Sequence, residues 1–344
     1  MAENGSDEWI NGTYIPSLND EISIKFVFFT LFISLVVITG FIGNSVLIII
    51  IIRTKDMRTV PNFFILSLAV CDILHLTVIG IMATYQLWMT TIDSSYVFPW
   101  TVASCRIINT VFVIFQAASV NTLMALSIER YRAVFCWKPR PGDRKQSFLK
   151  HSLCIALIWA VAISFAIPAY IKTGTLFLNG YYTCEMFVIG STSAKVYESM
   201  RLVILNIVPL VITCGCYFNI MIKLLRSTNL RVQPSFIKRR RKLAVIMPAL
   251  ILLVTASWSP YISTEWVREF HDVLNFTNKN WSLLYKFHMA GFYLSIINAA
   301  IDPLILCVIS RKFRHYMLCR LDCFTYKHKL IPSTQETVRT SSFV

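Results

Sequence analysis

The stretch Phe26–Ile52 reads FVFFTLFISLVVITGFIGNSVLIIIII and contains no charged side chain. A helix of roughly 20 mostly apolar residues crosses the hydrocarbon core of a bilayer, because every backbone polar group is then satisfied inside the segment. Six further segments have the same character: Asn62–Trp88, Cys105–Val134, Ser152–Tyr170, Val203–Leu225, Leu243–Val267 and Leu283–Ile309. The fold class expected is an all-α membrane protein, a seven-transmembrane helix bundle with a short amphipathic eighth helix. Residues 1–25 form an extracellular segment, 26–309 the bundle, and 310–344 the cytoplasmic eighth helix and tail. The bulk composition agrees. Hydrophobic residues make up 56% of the 344 and charged residues 15%, where a soluble domain carries about a quarter charged. The first 23 residues hold five acids and no apolar core, so no cleavable leader is expected.

The formal charge of +15 raises the question of nucleic acid, and the placement of the charge answers it. Most of the 33 basic residues fall between the apolar runs on one side. They include Arg53, Lys55 and Arg58 after the first run, Lys138 to Lys150 after the third, Lys223 to Lys242 after the fifth, and Arg311 to Arg339 in the tail. The positive-inside rule makes that side cytoplasmic and puts the N-terminus outside. Four Asn-x-Ser/Thr sequons, at Asn4, Asn11, Asn275 and Asn280, all fall on the other side and are expected to be glycosylated. Cys105 opens the third run and Cys184 lies in the second extracellular loop; both face an oxidising compartment, so a disulfide between them is expected. Cys319 and Cys323 follow the amphipathic stretch after the seventh run and are candidates for palmitoylation.

The order of short motifs carries more. Gly43-Asn44 stands in helix one, Leu68-Ala69-Val70-Cys71-Asp72 in helix two, and Glu129-Arg130-Tyr131 at the end of helix three. Trp159 is in helix four, Pro209 and Tyr217 in helix five, Trp258-Ser259-Pro260 in helix six, and Asp302-Pro303 in helix seven. Over about 300 residues this set resembles the rhodopsin family (class A) of G-protein-coupled receptors. The loop Arg53–Asn62 and the stretch Ser310–Arg314 are similar to those of thyrotropin-releasing-hormone and bombesin receptors, which points to the neuropeptide branch.

The resemblance implies a receptor rather than an enzyme, coupling to heterotrimeric G proteins and arrestin, with no cofactor beyond a structural sodium ion. That ion would be held by Asp72, Ser119, Asn298 and Asp302, an all-oxygen set suited to a hard cation. Two carboxylates this deep in the membrane are costly apart, so they should share a proton or a cation. Glu129 and Arg130 resemble the family's charged switch. Pro260 should kink helix six, with Trp258 on the pocket floor, so that changes at the pocket swing the cytoplasmic end. Tyr217, Asp302 and Pro303 complete the switch set. The chain departs from the family in three places: Leu306 replaces a tyrosine, Trp137 a loop proline, and Arg240 stands where some members carry an acid.

On the ligand side, Asn109, Phe112, Val113 and Gln116 share one face of helix three at spacing i, i+3, i+4, i+7. Trp258, Tyr261, Ile262 and Glu265 repeat that spacing on helix six, and His288, Phe292 and Ser295 lie on helix seven. A monoamine receptor needs a carboxylate at Phe112 and an opsin a lysine near Ile296; neither is present. Asn179-Gly180 between β-prone runs signals a hairpin in the second extracellular loop. Glu185, Arg201, Glu265 and Arg268 are expected at the rim of a wide mouth. The reading is a receptor for an extracellular peptide bearing a basic group that meets Glu265. A receptor of the same fold for a lipid or small molecule is the alternative. A transporter would need paired repeats with broken helices, and an intramembrane protease a catalytic set such as two aspartates in Gly-rich motifs. The last residues, Ser342-Phe343-Val344, resemble a C-terminal ligand for PDZ domains.

Overall fold

The computed structural model describes residues 8–10, 13–15, 20–92, 99–135, 143–178, 181–226, 256–274, 278–309 and 313–317. Helix α1 runs Asp20–Arg53. Helix α2 comprises Val60–His75, a π-turn at Leu76–Gly80 and Ile81–Ile92. Helices α3 and α4 are Val102–Phe135 and Asp143–Lys172. Helix α5 joins Thr192–Leu202, a π-turn at Val203–Ile207 and Val208–Arg226. Helix α6 is described over Ser259–Glu269, and α7 over Asn278–Ile309. Six of these are long and apolar enough to cross a membrane. Most of the sixth expected span, residues 243–255, lies outside the described residues.

The observed helices overrun the apolar runs. α5 begins eleven residues before the expected Val203, at Thr192, where Ser191 caps it by accepting a hydrogen bond from the Ala194 N–H at 3.3 Å. Its first turns are polar because they line the bundle interior near the mouth, which hydropathy alone does not register. The two π-turns fall at Leu76–Gly80 and Val203–Ile207, each in the half of its helix nearer the pocket.

Packing follows small residues and a few polar clasps. A Cβ at Gly40 would lie 2.6 Å from the Ala300 Cβ, so α1 and α7 touch there because neither side chain intrudes. Asn44 Nδ2 donates to the Ala299 carbonyl at 2.8 Å across the same contact. Trp159 Nε1 donates to Ser67 Oγ at 3.1 Å and ties α4 to α2. Beyond α7 residues 313–317 are helical, with Phe313 buried and Tyr316 and Met317 packed on the core at the end of the bundle away from the hairpin. The outward faces of α1 and α4 expose Phe28, Phe32, Leu35, Leu153 and Leu157 to what is lipid in a membrane.

Outside the bundle, β1 (Glu8–Ile10) pairs with β2 (Thr13–Ile15), and β3 (Gly174–Leu178) with β4 (Tyr181–Glu185), both antiparallel. The second is the hairpin expected from Asn179-Gly180, and its register places Thr175 opposite Cys184. The sequons at Asn4, Asn11 and Asn275, together with Cys319, Cys323, Trp137, Arg240 and the tail, lie outside the described residues.

Candidate functional site

Cys105 at the outer end of α3 is bonded to Cys184 on β4, closing a loop over 79 residues of separation. The bond holds the hairpin across the mouth of the bundle. Asn109, one turn below Cys105, donates from Nδ2 to Cys184 Sγ at 3.0 Å. Arg106 anchors the base of the hairpin by donating from Nε to the Thr173 carbonyl at 3.0 Å.

Beneath the hairpin is a cleft lined by Ile79, Asn109, Phe112, Glu185, Tyr261 and Phe292, among others. Its volume is about 170 Å³, below the roughly 300–1,000 Å³ of ordinary ligand sites. Of the residues expected to bind ligand, Asn109, Phe112, Glu185, Tyr261, Glu265, Arg268, His288 and Phe292 all line it. Aromatic rings form the wall: Phe112 lies 4.8 Å from Tyr261 and 6.1 Å from Phe292, and Tyr261 lies 4.7 Å from His288.

At the rim three carboxylates converge on one guanidinium. Arg268 Nη1 donates to Glu185 at 3.1 Å, and Nη2 donates to Glu265 at 3.0 Å and lies 3.7 Å from Glu269. The α6 partners are local, since Glu265 and Arg268 sit at i, i+3 on one face. Glu185 arrives from β4 because the disulfide fixes its neighbour. Glu265 was expected to await a ligand, but its second oxygen also lies 3.1 Å from His288 Nδ1, so it is engaged on both sides. Burial pushes the Glu185 carboxyl above its ordinary range, with Arg268 pulling it partly back. Burial likewise raises Glu269, against the Gly190 N–H that donates to it at 2.8 Å.

Arg201 corrects one expectation. It was placed at the rim, yet it is fully buried. Glu198, one turn earlier on α5, takes Nη1 at 3.1 and 3.2 Å, and Gln116 Oε1 accepts from Nε at 2.9 Å. A guanidinium draws inward when a carboxylate on its own helix face comes with it. The pair Glu198–Arg201 shows the i, i+3 spacing in sequence, but the expected helix began after it. Its guanidinium carbon lies 5.4 Å over the Tyr261 ring, so this layer sits directly under the cleft. Glu269 and Glu198 are the charged groups that sequence reasoning missed.

The floor is His75, Phe112 and Trp258, 5.6 to 5.8 Å apart, with Trp258 edge to face on both and His75 tilted against Phe112. Ser259 Oγ donates to Asn206 Oδ1 at 3.0 Å, which holds the start of α6 to the π-turn of α5. Where α6 passes α7, a Cβ built on Gly291 would meet the Tyr261 nitrogen at 2.5 Å, so the two backbones touch beside Pro260.

Deeper, Asp72 and Asp302 are buried and their carboxyls are in hydrogen-bonding contact with one another. Each keeps one oxygen without a partner among the described residues. Ser119 is buried on α3, and Asn298 is one turn before Asp302 on α7. The unpartnered oxygens of this carboxyl pair are of the hard type that suits an alkali cation. At the end of the bundle away from the hairpin Glu129 lies 3.1 Å from His151 Nε2 on α4, a partner that the sequence did not suggest. Arg130 Nε and the Tyr217 hydroxyl are buried without partners among the described residues. Pro303 packs close to Gly43, 3.2 Å from where a Cβ would stand.

A bundle of membrane helices with a disulfide-held hairpin over an aromatic and charged cleft defines a receptor architecture. The family described as "7 transmembrane receptor (rhodopsin family)" matches residues 43–306, and the chain belongs to it. It is a multi-pass membrane receptor, not an enzyme. A QRFP-like peptide receptor of Branchiostoma floridae is 24% identical over 341 residues, covering 94% of this chain and 85% of that protein.

Proposed function

We propose that this receptor binds an extracellular peptide carrying a basic group and passes the signal to heterotrimeric G proteins at the plasma membrane. The observation that carries the reading is the rim, where Glu185, Glu265 and Glu269 meet the single guanidinium of Arg268. The excess negative charge there attracts a cation and weakens the hold on Arg268 when one arrives. The open, hairpin-covered mouth and the similarity to a peptide receptor support a peptide over a small lipid.

The orientation follows the basic loops, with the N-terminus extracellular and the C-terminus cytoplasmic. Binding at the aromatic wall displaces Tyr261 and Phe292, and α6, which Pro260 would kink, transmits the shift past Trp258. Arg130 and Tyr217 then take partners at the cytoplasmic face. Asp72, Ser119, Asn298 and Asp302 would hold a sodium ion, which supplies charge neutralisation in the resting core. Glycans at the sequons, including exposed Asn280, acyl chains at Cys319 and Cys323, arrestin at the phosphorylated tail, and a PDZ-domain protein at Ser342–Val344 complete the proposal.

A peptide-library screen with calcium and cAMP readouts tests it, run in the parent and in Glu265→Gln. A charge-assisted contact contributes about 1.5–3 kcal/mol, so potency of a basic activator should fall roughly ten- to a hundredfold in the mutant. Unchanged potency removes Glu265 from the site. Activation by lipids and by no peptide replaces the proposal with the alternative.

A further inference from the structure

Four polar atoms under the cleft have no hydrogen-bond partner among the described residues: Gln116 Nε2, Arg201 Nη2, Trp258 Nε1 and His75 Nδ1. They belong to residues exposed by no more than 3%. All four residues pack around one aromatic layer. Arg201 lies over Tyr261, Trp258 and His75 sit against Phe112, and Gln116 is one helical turn below Phe112 and bonded to Arg201. Gln116, Arg201 and Trp258 offer N–H groups here, and N–H groups only donate. The orientation of Gln116 follows from its contact, because its oxygen accepts from Arg201 Nε and its NH₂ therefore points elsewhere. Buried donors without acceptors are costly, and native interiors rarely leave several together.

Charge decides which acceptor fits. Arg201 is already neutralised by both oxygens of Glu198. A carboxylate brought to Nη2 would be a second anion on one guanidinium in a dry site. A neutral carbonyl oxygen accepts the same hydrogen bonds without importing a charge that must be desolvated. Phe112 and Tyr261 line the open cleft above, so the donors lie one side-chain layer below it and Tyr261 is the group a ligand must move.

We infer that Gln116 Nε2 and Arg201 Nη2 form a subsite for a neutral hydrogen-bond acceptor of the ligand, a carboxamide or main-chain carbonyl oxygen seated beneath Tyr261. The inference rests on the reading of this cleft as the peptide site. It adds a neutral deep end to the cationic group met by the rim.

The test uses three probes with one aromatic skeleton: 3-phenylpropanamide, 3-phenylpropanoate and 3-phenylpropylamine. Their affinities for the purified full-length receptor are measured by ligand-observed NMR titration. Gln116→Glu keeps the acceptor that Arg201 Nε uses and removes the free donor but adds a carboxylate beside Arg201, so the uncharged Gln116→Met, which removes the donor at similar volume, is measured beside it. The amide should bind more tightly than the carboxylate. Both variants should weaken the amide by about two- to tenfold, the range for one neutral hydrogen bond, and leave the amine no weaker. The unfolding temperature without probe reports whether each variant is folded; if Gln116→Glu is not, Gln116→Met reads the same arm. Equal amide affinity in a folded variant overturns the inference. So does a carboxylate that binds as tightly as the amide, or an amide that does not bind the parent, since buried water then satisfies the donors. The amine arm reports on the rim. Its loss in Glu185→Gln supports the cationic reading, and its failure counts against that reading without touching the amide arm.

Discussion

The outer end of α6 and the inner half of the bundle handle polar groups in opposite ways. At the outer end, Glu265, Arg268 and Glu269 are engaged with β4, α7 and the Gly190 N–H, and of their side-chain atoms only Arg268 Nε is buried without a partner among the described residues. Trp266 Nε1 adds a hydrogen bond to Ser199 Oγ at 3.0 Å, and Lys195 on α5 meets Asp272 at 2.7 Å. In the inner half, Asp72, Asp302, Arg130 and Tyr217 each keep a buried polar atom without a partner among the described residues. The contrast teaches where the protein stores its capacity to change. Charged pairs fix the mouth before a ligand arrives, while unsatisfied groups inside gain partners only in another arrangement.

Breaking the outer end at its covalent anchor should have the largest effect. Cys105→Ser or Cys184→Ser opens a loop spanning a separation of 79 residues, for which chain entropy gives about 4–5 kcal/mol. Surface expression by flow cytometry should collapse in both. Normal expression with normal ligand binding would show that the rim charges hold the hairpin without the bond.

Arg268→Gln strips the rim of its cation and leaves Glu185, Glu265 and Glu269 facing one another. Removing one partner of a buried charge cluster costs roughly 3 kcal/mol or more, lessened here because Arg268 is 25% exposed. The unfolding temperature of detergent-solubilised receptor should drop. A variant as stable as the parent would mean that His288 and solvent suffice, and that the charges do not fix the rim.

Gly291→Ala addresses the seam between the two regions. An added Cβ stands 2.5 Å from the Tyr261 nitrogen, so α7 must move from α6 at about 1–3 kcal/mol of overpacking. Both thermal stability and agonist efficacy should shift. If stability falls while efficacy holds, the contact is packing alone and not a pivot.

Leu306→Tyr sharpens the inner half. Leu306 packs on the inner core and offers no polar atom, while the Tyr217 hydroxyl lacks a partner among the described residues. A regained hydrogen bond of about 0.5–1.5 kcal/mol should raise agonist-driven G-protein activation roughly two- to tenfold at matched surface expression. Signalling no better than the parent makes Leu306 a tolerated packing residue.

The smallest effect is on pH dependence at the mouth. Burial raises the Glu185 and Glu269 carboxyls, so each takes up a proton at a higher pH than a free glutamate. Protonation removes negative charge from the rim. Affinity for a basic ligand should therefore fall as the medium is acidified from pH 7 towards about pH 5. Affinity that is flat or rises over that interval contradicts the assignment.

Hydropathy and motif order made the seven helices legible, because a membrane segment must satisfy its own backbone and so announces itself locally. The helical spacing of Asn109, Phe112, Val113 and Gln116, and of Trp258, Tyr261, Ile262 and Glu265, put each set on one face, and those faces line or underlie the cleft. Loop chemistry gave the hairpin at Asn179-Gly180, and topology the cysteine pair. Distances between helices are another matter. That Arg201 turns inward to Glu198 and Gln116, that Glu129 meets His151, that Arg268 gathers acids from β4 and α6, and that Gly291 lies against the Tyr261 backbone were decided by tertiary packing. Each joins or opposes residues far apart in the chain or beyond an expected helix start. A side chain's spacing along its own helix says which face it occupies, but only the neighbouring helix determines what it meets there.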